Sequence, residues 1–108
     1  MTKIAKISAQ HGDLVLKRLT SIPIGEKTLI SRGKMVLAEG ETTGHYHGIE
    51  EDESELIRIG DQILLNLAKN ATLTHQEHHP ITLEAGIWEV GRVQEYDYFL
   101  QMKRPVMD

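Results

Sequence analysis

The chain has 108 residues, a net charge of −4 with histidine neutral, and no cysteine. This length suits one domain over residues 1–108, able to bury roughly 65% of its unfolded surface without cross-links. Without cysteine there are no disulfides, iron–sulfur clusters or thiolate zinc sites, so any metal must be held by nitrogen and oxygen. Acidic and basic residues are interspersed with no Lys/Arg run, so no nucleic-acid partner is expected. No segment approaches the ~20 apolar residues of a membrane span, and residues 1–8 lack a signal-peptide core. The expectation is therefore no membrane partner and, by default, a cytoplasmic location.

Short apolar runs bounded by turn residues follow one another along the chain. His11-Gly12-Asp13 reads as a turn leading into a strand over Leu14–Leu19. The segment from Ser21 to Lys27, with Pro23 and Gly25, reads as a loop. Thr28–Ile30 is a short strand, Ser31–Lys34 a turn, and Met35–Ala38 a buried strand ended by Gly40. The clearest element is a hairpin, Glu55–Ile59 and Gln62–Leu67 around Gly60-Asp61. Glycine at the first turn position suits a II′ turn, whose twist matches the flanking strands. Alternation sets Ile57 and Ile59 on one face, and Leu56 with Arg58 on the other; Ile63, Leu65 and Leu67 share one face of the partner strand. Thr72–Glu77 reads as a strand, Pro80–Leu83 as an edge or strand start, and Ile87–Val90 as a strand with Trp88 in the core. Val90 and Val93 are out of phase, which a bulge at Gly91-Arg92 would repair. Residues 96–108 read as a short helix, an edge strand or an arm docking on a partner subunit.

No segment sustains a 3.6-residue period, and turn signals recur every eight to twelve residues or so, as in all-β domains. The expected fold is all-β: a single small β-barrel or sandwich of about eight to ten short strands, or alternatively a small open barrel.

Five of the six histidines fall in two places, His45 and His47, then His75, His78 and His79. Residues two apart on a strand project from one face, with Cα atoms roughly 6.5–7 Å apart. His45 and His47 can therefore converge on one ion, with Tyr46 turned away. Alternation in the second stretch aims His75, Glu77 and His79 together. If the strand bulges or ends near Pro80, His78 joins in place of His79. Nitrogen and carboxylate ligands suit a divalent Zn, Fe, Mn, Ni or Cu ion, and the sequence does not choose among them. Glu77 reads as a ligand, an orienting partner or a general base. The acidic run Glu50–Glu53 reads as a solvated loop or as a carboxylate ligand beside His45 and His47. His11 reads as a turn residue, and Ser21, Ser31 and Ser54 have no nucleophile context.

The stretch from Gly40 to Glu51, GETTGHYHGIEE, resembles the first motif of the cupins. That resemblance implies a cupin-like small barrel with His45, His47 and Glu51 as metal ligands. The chain also resembles small bacterial and phage proteins that carry a Gly-His-x-His stretch and a later His-x-Glu-His stretch, here His45–His47 and His75–His78. Two functions are expected from these readings. One is a metal-binding protein, either a simple binder or an enzyme acting on a small-molecule ligand, with no catalytic residue assigned. The other is a non-enzymatic binding module or homo-oligomer, docked through Tyr98, Phe99, Leu100 and Met102.

Overall fold

The structure, a computed structural model, describes residues 3–39 and 45–92. Its regular elements are eleven strands: β1 Lys3–Ala5, β2 Ser8–His11, β3 Leu14–Leu19, β4 Lys27–Arg32, β5 Met35–Glu39, β6 Tyr46–Glu50, β7 Ser54–Ile59, β8 Gln62–Leu67, β9 Ala71–Thr74, β10 Ile81–Leu83 and β11 Gly86–Arg92. They form a five-stranded sheet, β1-β10-β9-β6-β5, and a six-stranded sheet, β2-β3-β11-β8-β7-β4. The all-β expectation holds, and of its forms the chain takes the sandwich rather than the closed barrel. No helix among the described residues is long and apolar enough to cross a membrane.

Hairpins set the register of the larger sheet. Ile59 lies opposite Gln62 across Gly60-Asp61, and His11 lies opposite Leu14 across Gly12-Asp13. Gly60 and Gly12 have φ of +60° and +64°, the left-handed value a II′ turn needs at its first position. With register fixed, alternation sorts the side chains as expected. Leu56, Leu65 and Leu67 join Leu14, Leu16 and Trp88 in a core that meets Ile49, Leu73 and Leu83 from the smaller sheet. Ile57, Ile59 and Leu64 form a second cluster with Leu19 and Ile87. Trp88 is fully buried, and its Nε1–H donates to the Glu84 carbonyl at 2.9 Å.

Four expectations need adjusting. β11 pairs with β3 in unbroken register through Gly91 and Arg92, so no bulge lies there. The irregularities fall instead between Leu29 and Ser31 and between Val36 and Ala38. Ser31 and Arg32 extend β4 rather than forming a turn. β9 stops at Thr74, and residues 76–78 bend. β1 and β2 are additional to the expected strands, and the arm expected over residues 96–108 lies outside the described residues.

Candidate metal centre

His47 sits on β6 with the inward-facing parity of Ile49, and its side chain is 1% exposed. On β2, Ala9 packs against the core, and His11 two residues later is 2% exposed. The two histidines thus reach toward each other from different sheets. Their Nδ1 atoms are 3.0 Å apart. The β9–β10 connection supplies the rest. The register Gly48↔Thr74 leaves His75 beside His47, with ring centroids 4.5 Å apart. The bend then returns His78 to within 4.5 Å of His75 and 5.5 Å of His11, centroid to centroid. Two contacts shape the bend: the Gln76 side chain accepts from the Tyr46 backbone N–H at 2.7 Å, and the Glu77 N–H donates to His75 Nδ1 at 3.1 Å.

All six pairings among His11, His47, His75 and His78 have centroids 4.5–6.3 Å apart. Imidazoles bound to one tetrahedral ion have centroids roughly 5 Å apart, given metal–nitrogen bonds of ~2.0–2.1 Å. Two nitrogens on one such ion stand roughly 2.9–3.4 Å apart, between octahedral and tetrahedral angles. The His11–His47 separation lies within that interval. No group of three or more His, Asp or Glu side chains among the described residues is already arranged to hold an ion. Beside that pair, the rings of His75 and His78 stand at the centroid spacings given above.

The outer nitrogens of the central pair have partners of defined sense. His11 Nε2 lies 2.9 Å from the His79 carbonyl oxygen, which can only accept. His47 Nε2 lies 3.4 Å from Asp13 Oδ1, and Asp13 is itself paired with Arg92. This chain has three links: carbonyl to His11, His11 to His47, and His47 to Asp13. Two neutral imidazoles carry only two protons. One link must therefore stand open, or an extra cation must be shared. A third proton is disfavoured. Burial, reinforced by His11 and His75, lowers the His47 pKa to about 4 despite the opposing pull of Asp13. Burial also lowers that of His11, with the His79 carbonyl opposing and His78 and His75 adding to it. The His75 value is lowered as well, by desolvation and by the neighbouring His78 and His45. Burial alone would raise the Asp13 carboxyl, but the hydrogen bond and charge of Arg92 outweigh it and hold it below its usual value. Asp13 is thus an anion aimed at a neutral imidazole.

The remaining expected residues divide. His45 is half-buried, with its ring 5.6 Å from that of His75 and Nδ1 3.7 Å from Glu77 Oε1. These two form an outer flank of the cluster. His78 lies in the cluster, on a bend that follows the end of β9 at Thr74 rather than on a strand ending near Pro80. His79 contributes its carbonyl, while its side chain is exposed. Glu51 is four residues beyond His47, roughly 13 Å along an extended chain. Its carboxylate accepts from the Glu53 N–H, so it serves the β6–β7 turn rather than the cluster. His11, Asp13 and Arg92 were not anticipated. The signal for His11 was its two-residue spacing from Ala9 on an inward face.

Fold and site together define a cysteine-free β-sandwich with an imidazole cluster between its sheets. Residues 10–93 match DUF8820, a domain of unknown function, and the chain belongs to that family. The matched stretch runs from just before His11 to just past Arg92, so it spans the whole cluster. No curated protein and no solved structure matches the chain.

Proposed function

We propose that this protein binds a divalent transition-metal ion between its two sheets, through His11 and His47 with His75 and His78 as further ligands. The observation that carries this reading is the gathering of four imidazoles, His11, His47, His75 and His78, with the His11 and His47 Nδ1 atoms 3.0 Å apart. A cation between the two Nδ1 atoms lets both rings keep their protons on Nε2. His11 then donates to the carbonyl, and His47 donates to Asp13. Backbone-carbonyl and carboxylate partners of this kind commonly orient metal-bound histidines. Nitrogen ligands accommodate Zn, Fe, Mn, Ni or Cu.

The test is metal content of the untagged chain after equilibration with each ion and gel filtration. Stoichiometric metal is expected in the native chain and little in His11→Ala/His47→Ala. Equal trace amounts in both would remove the proposal.

A second reading, self-association, draws on β4. Among the described residues this strand lies at the edge of its sheet, with Leu29 49% and Ile30 46% exposed. An apolar unpaired edge is a template for another strand. Mass in solution tests it: a native oligomer that Leu29→Lys converts to monomer supports the reading, and a native monomer ends it.

A further inference from the structure

The six-stranded sheet has a second face, turned away from its partner sheet, and that face is apolar. Ile57 lies opposite Leu64 across β7–β8, and Leu64 lies opposite Glu89 on β11. Their parity is therefore the reverse of that of Leu56, Leu65 and Trp88, which fill the core. Leu19 and Ile87, opposite each other across β3–β11, share the outer parity and pack on the same cluster with Ile59. We propose that residues 93–108 of the same chain cover this face, laying the stripe Tyr96, Tyr98, Leu100 and Met102 over Leu64 and its neighbours.

The depth of burial calls for a cover. An antiparallel sheet with one face on the core commonly turns the other to water. Here the outer side chains are shut off from it: Leu64 is 0% exposed, Ile59 4% and Ile57 8%. The β3–β4 connection passes close to one of them, since a Cβ on Gly25 would lie 2.8 Å from Ile59 Cγ2. Yet Ile22 and Ile24 of that connection are 37% and 102% exposed, so they leave the cover over Leu64 to another segment. Composition points to which one. Residues 40–44 are Gly-Glu-Thr-Thr-Gly and residues 1–2 are too short, whereas residues 93–108 carry three of the chain's five aromatic side chains. From Tyr96 to Met102 an apolar residue stands at every second position, and of the residues between them Asp97 and Gln101 are polar and only Phe99 is not. Extended, that pattern presents one apolar face. The connection permits it. Leu64 is level with Glu89, three residues before β11 ends at Arg92, or roughly 10 Å back along the strand. The 16 residues after Arg92 can span several times that distance. A reversal over residues 93–95 returns the stripe to the sheet the chain has just left.

The chain has no cysteine, so introduced pairs report proximity without background. In the full chain, Tyr98→Cys is combined with Leu19→Cys or Ile87→Cys on the outer face. The distant control pairs it with Val36→Cys, 53% exposed on the smaller sheet. Disulfide formation in dilute oxidant is followed by mass. At least one outer-face pair should close within the chain about tenfold faster than the control, because docking holds the sulfurs within bonding reach. Equal rates in all three overturn the proposal. So does a disulfide between chains, which gives the face to the segment of a second copy. Thermal unfolding of two further variants tests the parity. Leu100→Asp should lower Tm by roughly 5–20 °C, the loss of one buried leucine in a domain of this size, while Gln101→Asp should move it by less than about 4 °C. Equal shifts in the two also overturn it.

Discussion

At the scale of single residues, protonation controls the centre. The His47 pKa is about 4 in the folded chain, against 6.5 for an ordinary imidazole, because burial and the neighbouring imidazoles disfavour its charged form. The unfolded chain therefore takes up this proton first as pH falls. The stability tied to a neutral His47 is complete above pH 6.5 and is lost progressively toward pH 4, by up to about 3 kcal/mol. His11, shifted in the same direction, adds to the slope. Urea midpoints of the chelator-treated protein at several pH values between these limits should fall with pH, and His47→Gln should flatten the curve. Asp13 acts on the same ring from the other side. Asp13→Asn removes the anionic acceptor that favours His47 Nε2–H, while the amide keeps nearly the same shape. Metal affinity should drop about 10–100-fold, as when outer partners of metal-bound histidines are removed. Competition against a chromogenic chelator measures it, and an unchanged affinity would show that Asp13 does not orient the ligand.

At the scale of elements, the β2–β3 turn places His11 and leaves room for its neighbours. A Cβ on Gly12 would lie 2.7 Å from His78 Nε2 and 3.2 Å from His47 Cε1, at a φ of +64°. Gly12→Ala should cost roughly 1–2 kcal/mol from the left-handed backbone alone. His78 is exposed and can swing aside, so the steric part should appear as weakened metal binding rather than as further unfolding. Denaturation and metal titration on the same variant separate the two. Local elements were legible in the sequence where two codes agreed, as in β7–β8, where alternation and a Gly-Asp turn set one register. The site was legible to the extent that it is local: His45 and His47 share a parity, and His75 follows a strand paired with β6. His11 was hidden because its partner lies 36 residues away on the other sheet, a relation that periodicity does not encode. The early end of β9 was hidden for a similar reason, since Gln76 leaves the strand to cap the distant Tyr46 N–H. Glu51 matched a motif by spacing, yet it stands beyond the opposite end of β6 from the cluster.

At the scale of the whole molecule, His11 belongs to the six-stranded sheet and His47 to the five-stranded one, so an ion bound as proposed would tie the two layers together. The core beneath already joins the sheets through Trp88, Leu65 and Leu73, so folding does not await the ion. Metal should instead act by linkage, stabilising the native state in proportion to its preference for the assembled site. At a free concentration one hundred times the dissociation constant, that gain is about 2.7 kcal/mol. For a domain near this size each kcal/mol moves Tm by roughly 4–8 °C, so a rise of roughly 10–20 °C is expected. Chelator should reverse it, and His11→Ala/His47→Ala should abolish it. The sign is diagnostic. The unfolded chain still carries six histidines, and scattered binding to them would favour the unfolded state and lower Tm. A metal-induced rise in the native chain that disappears when these two rings are removed can come only from a site that exists once both sheets are in place.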